Sequence, residues 1–101
     1  MRKIEISAKA TKFLDKLKEK PLKDKFYKMM NKIRENPEIG KGKTGDLQGI
    51  FCVDIYHARV NYELAYKVIE RDGELVIIIL AGARGNFYDE LKRYLRELDL
   101  E

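Results

Sequence analysis

The chain is 101 residues long, 45% hydrophobic and 38% charged, with a formal net charge of +4. That length accommodates one hydrophobic core, so residues 1–101 are expected to form a single domain, and no apolar run approaches the ~20 residues of a membrane span. The single cysteine, Cys52, excludes an internal disulfide, and one Cys with one His argues against a structural zinc site within the chain. No metal or cofactor is expected. The opening MRKIEISAKA lacks the apolar core of a signal peptide, so a cytoplasmic location is expected, where a lone thiol stays reduced.

Charge is unevenly distributed. Residues 1–45 carry 14 Lys/Arg against 6 Asp/Glu, a balance of +8, whereas residues 46–101 carry 7 against 11, a balance of −4. A basic front half suits a phosphate backbone or an acidic protein, although a pair of well-solvated helices has the same composition.

In chain order, Arg2 to Ile6 alternates apolar and charged residues and predicts a short strand. Ser7 is a candidate N-cap for a helix running to about Lys20, with Ala10, Phe13, Leu14 and Leu17 on one face. Pro21 ends it and suits the first turn of a second helix, whose Leu22, Phe26, Met29, Met30 and Ile33 share a face until Asn36-Pro37. The segment PEIGKGKTGD, residues 37–46, reads as an exposed loop. From Leu47 the period becomes two: Phe51, Val53 and Ile55 lie on one side, and Cys52, Asp54 and Tyr56 on the other. A strand over 60–69 follows, then a turn at Arg71-Asp72-Gly73-Glu74. Leu75–Leu80 is apolar at every position, as a central strand requires, and breaks into Gly82-Ala83-Arg84-Gly85-Asn86. Asn86 is placed to cap a last helix carrying Phe87, Leu91, Tyr94, Leu95 and Leu98. The C-terminal helix is expected to cover Tyr66 and Val76.

The order is therefore β-α-α-β-β-β-α, an α+β fold. Its antiparallel sheet should carry two N-terminal helices on one face, with a C-terminal helix and a polar sheet face left partly open. On that polar face the alternation places Asp54 and Glu63, with Arg59 and His57 in the connection between their strands and Arg84 and Tyr88 at the end of the central strand. Carboxylates, cations and phenols together suit acid–base work on a phosphodiester, in which a 2′-hydroxyl needs a base, the phosphorane a cation and the leaving oxygen an acid. Asp54 and Glu63 are the candidate bases, Arg59 and Arg84 the candidate cations, and Tyr88 and His57 the candidate acids. Lys25, Lys28 and Lys32 of the second helix, with Lys41 and Lys43 of the loop, are candidates for nucleic-acid contact. Cys52 reads as a small buried hydrophobe rather than a nucleophile.

This organisation resembles the RelE/ParE superfamily of toxins from bacterial and archaeal toxin–antitoxin pairs. The likeness covers nearly the whole chain. It is carried by the first strand with Ala10-x-x-Phe13-Leu14-x-x-Leu17, by Asn36-Pro37, by Gly45-Asp46-Leu47-Gln48-Gly49, by Tyr62-Glu63-Leu64-Ala65-Tyr66, and by Leu80-Ala81-Gly82-Ala83-Arg84 leading to Phe87-Tyr88. The resemblance implies an antitoxin partner. It implies either metal-independent, ribosome-dependent cleavage of mRNA, as in RelE-like members, or non-enzymatic poisoning of DNA gyrase, as in ParE-like members; a degenerate member would bind an antitoxin only. It also implies that Arg84 matches the family arginine after the last strand and that Tyr88 lies close to its C-terminal tyrosine. Cys52 and Asp54 stand where basic residues are usual, and Glu63 where an arginine is usual, with Arg59 four residues earlier as a substitute cation.

Overall fold

The computed structural model describes residues 2–70 and 73–98. Its first strand, β1 (Lys3–Ile6), turns Ile4 and Ile6 toward the core and runs directly into Ser7. The Ser7 hydroxyl accepts a hydrogen bond from the Ala10 amide at 3.1 Å, satisfying one of the free donors of α1 (Ala8–Lys16), and itself donates to the Ile79 carbonyl at 2.5 Å. One side chain thus caps the helix and fastens it to the sheet. The helix is one turn shorter than its sequence pattern predicts. Leu17 leaves it in an extended conformation to pack on the core, and Lys18, Glu19 and Lys20 have nothing apolar to bury.

Helix α2 (Lys20–Glu35) takes Pro21 in its first turn and buries Leu22, Phe26, Met30 and Ile33. Arg2 donates to the carbonyls of Arg34 (3.1 Å) and Glu35 (2.9 Å), placing a positive charge at the helix end where the backbone dipole is negative, and also pairs with Glu74. A 3-10 turn over Pro37–Ile39 leads into β2 (Lys41–Gly42), a two-residue strand inside the segment expected to be loop. A second such turn over Gly45–Leu47 precedes β3 (Phe51–His57), β4 (Val60–Glu70) and β5 (Glu74–Ala83). Helix α3 (Phe87–Leu98) closes the described chain. Arg71 and Asp72 of the expected turn lie outside the described residues; Gly73 beside them has φ +97°, a conformation that favours glycine.

The strands form one mixed sheet in the order β1-β5-β4-β3-β2. The meander β3-β4-β5 is antiparallel, and β1 adds to its far edge in parallel, with Ile4 opposite Val76 and Ile6 opposite Ile78. Ala65 pairs with Leu80 while Tyr66 pairs with Ile78, so Ile79 is an extra residue on β5. That bulge turns both Ile79 and Leu80 toward α3 and explains why the whole run can be apolar.

Helices cover both faces. Under α1 and α2 lie Ile55, Leu64, Tyr66, Val76, Ile78 and Ala81. Under α3 lie Cys52, Ala65, Ile79 and Leu80, packed with Leu47, Ile50, Phe87, Leu91 and Tyr94. Tyr66 and Val76 are therefore covered by the N-terminal helices and not by the C-terminal one, because the pleat assigns them to the opposite face from Ala65 and Ile77. The polar face expected to be open is in turn reduced by α3 to the end of the sheet near Asp54, Glu63 and Arg84.

Tyr66 fixes the segment that leaves α2. Its buried hydroxyl donates to the Pro37 carbonyl at 2.5 Å and accepts from the Gly40 amide at 2.9 Å. A Cβ at Gly40 would lie 2.3 Å from that hydroxyl oxygen. Gly40→Ala is therefore expected to force the loop off the ring, lowering unfolding free energy in urea by about 1–3 kcal/mol.

Candidate functional site

Period-two geometry and the meander bring two carboxyl groups face to face. Asp54 on β3 pairs directly with Glu63 on β4, and Glu63 pairs on its other side with Gly82 on β5. Gly82 has no side chain, and the Phe87 ring packs beside it, 3.7 Å from where a Cβ would lie. Glu63 is consequently buried, only 3% exposed, whereas Asp54 is exposed at the outer strand. Tyr88, in the first turn of α3, donates its hydroxyl to Glu63 Oε1 at 2.7 Å. Glu63 Oε2 is buried without a hydrogen-bond partner, an expensive position for a charged carboxylate.

The electrostatics follow from that placement. Burial raises the Glu63 carboxyl above the usual carboxylate value; Asp54 adds to the rise, while the Tyr88 hydrogen bond and the charge of Arg84 oppose it. Burial likewise raises the Tyr88 phenol, against the lowering effect of Lys43. Lys43 follows β2, where its amide donates to the Ile50 carbonyl at 2.9 Å, and its ammonium lies over the Tyr88 ring, 4.8 Å from the centre. The Tyr88 phenol within its reach raises the Lys43 ammonium. Burial pushes the Cys52 thiol up to about 11, so it is a neutral core side chain at pH 7, as its sequence context suggested.

Four of the five sequence-selected residues meet here: Asp54, Glu63, Tyr88 and Arg84. Arg84 is exposed at the end of β5, and its amide is held by the Asn61 carbonyl at 3.0 Å. Arg59 sits instead at the tip of the β3–β4 hairpin. It shares with Ala58 a two-residue turn at positive φ (66° and 50°), four residues from Glu63, or about 13 Å along the strand. His57 falls on the face of β3 that α1 and α2 cover, with Ile55, and pairs with Glu19 at 2.9 Å, so it is turned away from the carboxyl pair. Lys25, Lys28 and Lys32 line a groove of about 240 Å³ between α2 and the outer edge of β3, with Asp54, Ile55 and Tyr56 on its other wall. Lys25 donates there to the Tyr56 carbonyl at 3.0 Å. Lys41 is exposed on β2 opposite Cys52.

Lys43 at the Tyr88 ring was not foreseen as part of this cluster. Its signal is the alternation Gly40-Lys41-Gly42-Lys43, which reads as loop through its glycines although its period is that of a strand. Among the described residues, no group of three or more His, Cys, Asp or Glu side chains is placed to hold a metal ion, and no helix is long and apolar enough to cross a membrane.

A deeply buried carboxyl against a phenol, an exposed carboxyl beside it and cations at the rim are thus gathered at one end of the sheet, a set of groups with the chemistry to accept and donate protons. Three solved structures share the fold. An arginine double mutant of E. coli toxin RelE in the free state superposes with a TM-score of 0.74 at 19% identity, covering 98% of each chain. A chain of the intact E. coli RelBE toxin–antitoxin complex gives 0.69 at 20% identity, covering 84% of this chain and 99% of that one. The toxin–antitoxin complex RelBE2 from Mycobacterium tuberculosis gives 0.66 at 20% identity, covering 82% and 98%. No curated protein sequence matches the chain significantly. Residues 4–92 match the family described as ParE-like toxin of type II bacterial toxin–antitoxin system, and the chain belongs to that family, within the RelE/ParE superfamily.

Proposed function

We propose that this toxin is a RelE-like endoribonuclease that cleaves mRNA in the ribosome without a metal ion. The observation that carries the reading is the buried Glu63, hydrogen-bonded to Tyr88 and facing Asp54 across the strand pair. Two carboxyl groups in unlike environments divide the acid and base roles: burial favours the protonated form of Glu63, and Asp54 stands exposed beside it to take the base role. Asp54 accepts the proton of the attacking 2′-hydroxyl, the P–O2′ bond forms, and the P–O5′ bond breaks. Tyr88 protonates the departing 5′-oxygen, and Glu63 returns a proton to the phenol. The products are a 2′,3′-cyclic phosphate and a 5′-hydroxyl. Arg84 offsets the charge that builds on the phosphorane, while the exposed Lys25, Lys28, Lys32 and Lys41 hold the backbone.

Cytoplasmic ribosomes are the expected setting, and a cognate antitoxin the expected partner. An amphipathic antitoxin segment would lie on the two N-terminal helices or in the groove beside α3. Purified ribosomes programmed with a defined mRNA test the reading: primer extension should show new stops at the A-site codon in the presence of wild-type protein. Uncut mRNA at high protein concentration would refute it.

A second reading is a ParE-like inhibitor that binds DNA gyrase without catalysis. Its support is the ParE-like description of the matched family and the substitution of carboxylates where cations would hold phosphate. It predicts loss of gyrase supercoiling activity with mRNA left intact. An antitoxin-binding member without toxicity predicts neither effect and no growth arrest on expression without its partner.

A further inference from the structure

Lys43 differs from the other four lysines near the site. Lys25, Lys28, Lys32 and Lys41 are exposed, whereas Lys43 is half-buried, tied by its amide to Ile50 and lying over the ring of the phenol that meets Glu63. Its ammonium lies over that ring, 4.8 Å from the centre, and so puts a positive charge beside the same phenol. The usual purpose of a lysine in a glycine-rich loop, a loose contact with passing phosphates, does not need such restraint.

The restraint has a source. Pairing of β2 on β3 and the Lys43 amide on Ile50 hold the far end of the chain from α2 to Lys43, and Tyr66 holds its start: its hydroxyl accepts from Gly40 and donates to Pro37, one hydrogen bond on each side of the turn. Tyr66 is fully buried and stacked on Phe51 at 5.7 Å between ring centres, and Gly42 passes over the same Phe51 ring, where a Cβ would lie 3.5 Å away. The phenol of Tyr66 therefore has a rigid base and an uncommon task for a core residue, which is to set the position of a segment that ends in a cation.

We propose that Lys43 is a catalytic residue of the RNA-cleaving centre, supplying the positive charge at the phosphorane beside Tyr88, and that Tyr66 is the residue that positions it. The proposal rests on the cleavage reading above and names the cation that the hairpin-tip Arg59 does not bring to the carboxyl pair. Lys43 stays protonated throughout, so the proton balance through Asp54, Tyr88 and Glu63 is unchanged. Its raised ammonium agrees with that role.

Single-turnover cleavage of A-site mRNA on purified ribosomes tests the proposal with wild type, Lys43→Ala, Lys43→Arg and Tyr66→Phe. Lys43→Ala should lower the maximal rate about 10²–10³-fold while the half-saturating protein concentration changes less than about threefold. Lys43→Arg should recover a large part of the rate, since it restores the charge. Tyr66→Phe should slow the maximal step by roughly tenfold in protein that circular dichroism shows to be folded, because a loop freed from its anchor misplaces the ammonium. If wild type cleaves and Lys43→Ala cleaves as fast, or loses only affinity, the assignment of Lys43 is overturned while the cleavage reading stands. If Tyr66→Phe keeps the wild-type rate, Tyr66 is a core residue only. If wild type leaves the mRNA intact on active ribosomes, the cleavage reading falls and the assignment with it.

Discussion

Glu63→Gln is expected to lower mRNA cleavage by about 10²–10⁴-fold and, at the same time, to make the domain more stable at neutral pH. On the proposed cleavage mechanism, the activity loss follows from removing the carboxyl behind Tyr88 while keeping the shape of the side chain. The stability gain follows from the direction in which burial moves the carboxyl. Its folded value is raised, so the folded state binds the proton more tightly than the unfolded chain does. The resulting stability is fully present below the unfolded carboxyl value and is lost as pH rises through the folded one. At pH 7 the wild-type protein must either bury a charge at Oε2, which has no hydrogen-bond partner, or hold a proton against solvent. A glutamine carries no charge, can still accept the Tyr88 hydrogen bond, and presents an amide that can donate toward Asp54. Urea unfolding of both proteins from pH 4 to pH 8 checks this: the wild-type curve should fall toward neutral pH relative to the variant, and the two should converge in acid. Parallel curves would show that Glu63 gains its proton equally well in the unfolded chain. A simultaneous rise in stability and loss of activity would mark Glu63 as a residue held in an unfavourable state for function.

Phe26→Ala is expected to cost about 3–5 kcal/mol. Phe26 is completely buried on α2 and meets Phe13 of α1 edge-on at 5.6 Å between ring centres, and Tyr62 of β4 edge-on at 5.9 Å. It thus sits at the middle of an aromatic cluster that joins both N-terminal helices to the sheet, with Phe13 and Tyr62 also in contact at 6.5 Å. A domain of this size has roughly 5–15 kcal/mol in total, so the variant should be marginal, with the thermal midpoint lowered on the order of 15–30 °C. Differential scanning calorimetry and urea unfolding measure it. Phe13→Ala, at a half-buried position, should cost clearly less. Equal losses from the two would mean that the aromatic cluster does not centre on Phe26.

The sequence patterns located these features unequally. The helical stripe over Leu22–Ile33 and the strict alternation over Phe51–Tyr56 were legible because each repeats the period of its own element, and that period is imposed by backbone geometry alone. The all-apolar run Leu75–Leu80 was legible as a central strand, but its bulge at Ile79 was not, because a bulge is a property of two strands and leaves no mark on one. Asp54 and Glu63 were placed on a common polar face by alternation, and their direct pairing was settled only when the register of β3 on β4 was fixed. The early end of α1 depended on what the following residues could find to bury.

Local sequence therefore determined the order of elements, which faces are apolar, and which residue types reach the end of the sheet, since each depends on neighbours a few positions away. Only the tertiary structure decided that β1 joins in parallel, that α3 covers the second face and leaves Glu63 buried beneath Tyr88, and that Lys43 is brought in by a loop fastened to Tyr66. Those outcomes turn on distances between groups 25 or more residues apart, such as Tyr88 and Glu63 or Tyr66 and Pro37. Register and packing, which no single stretch of chain contains, set those distances.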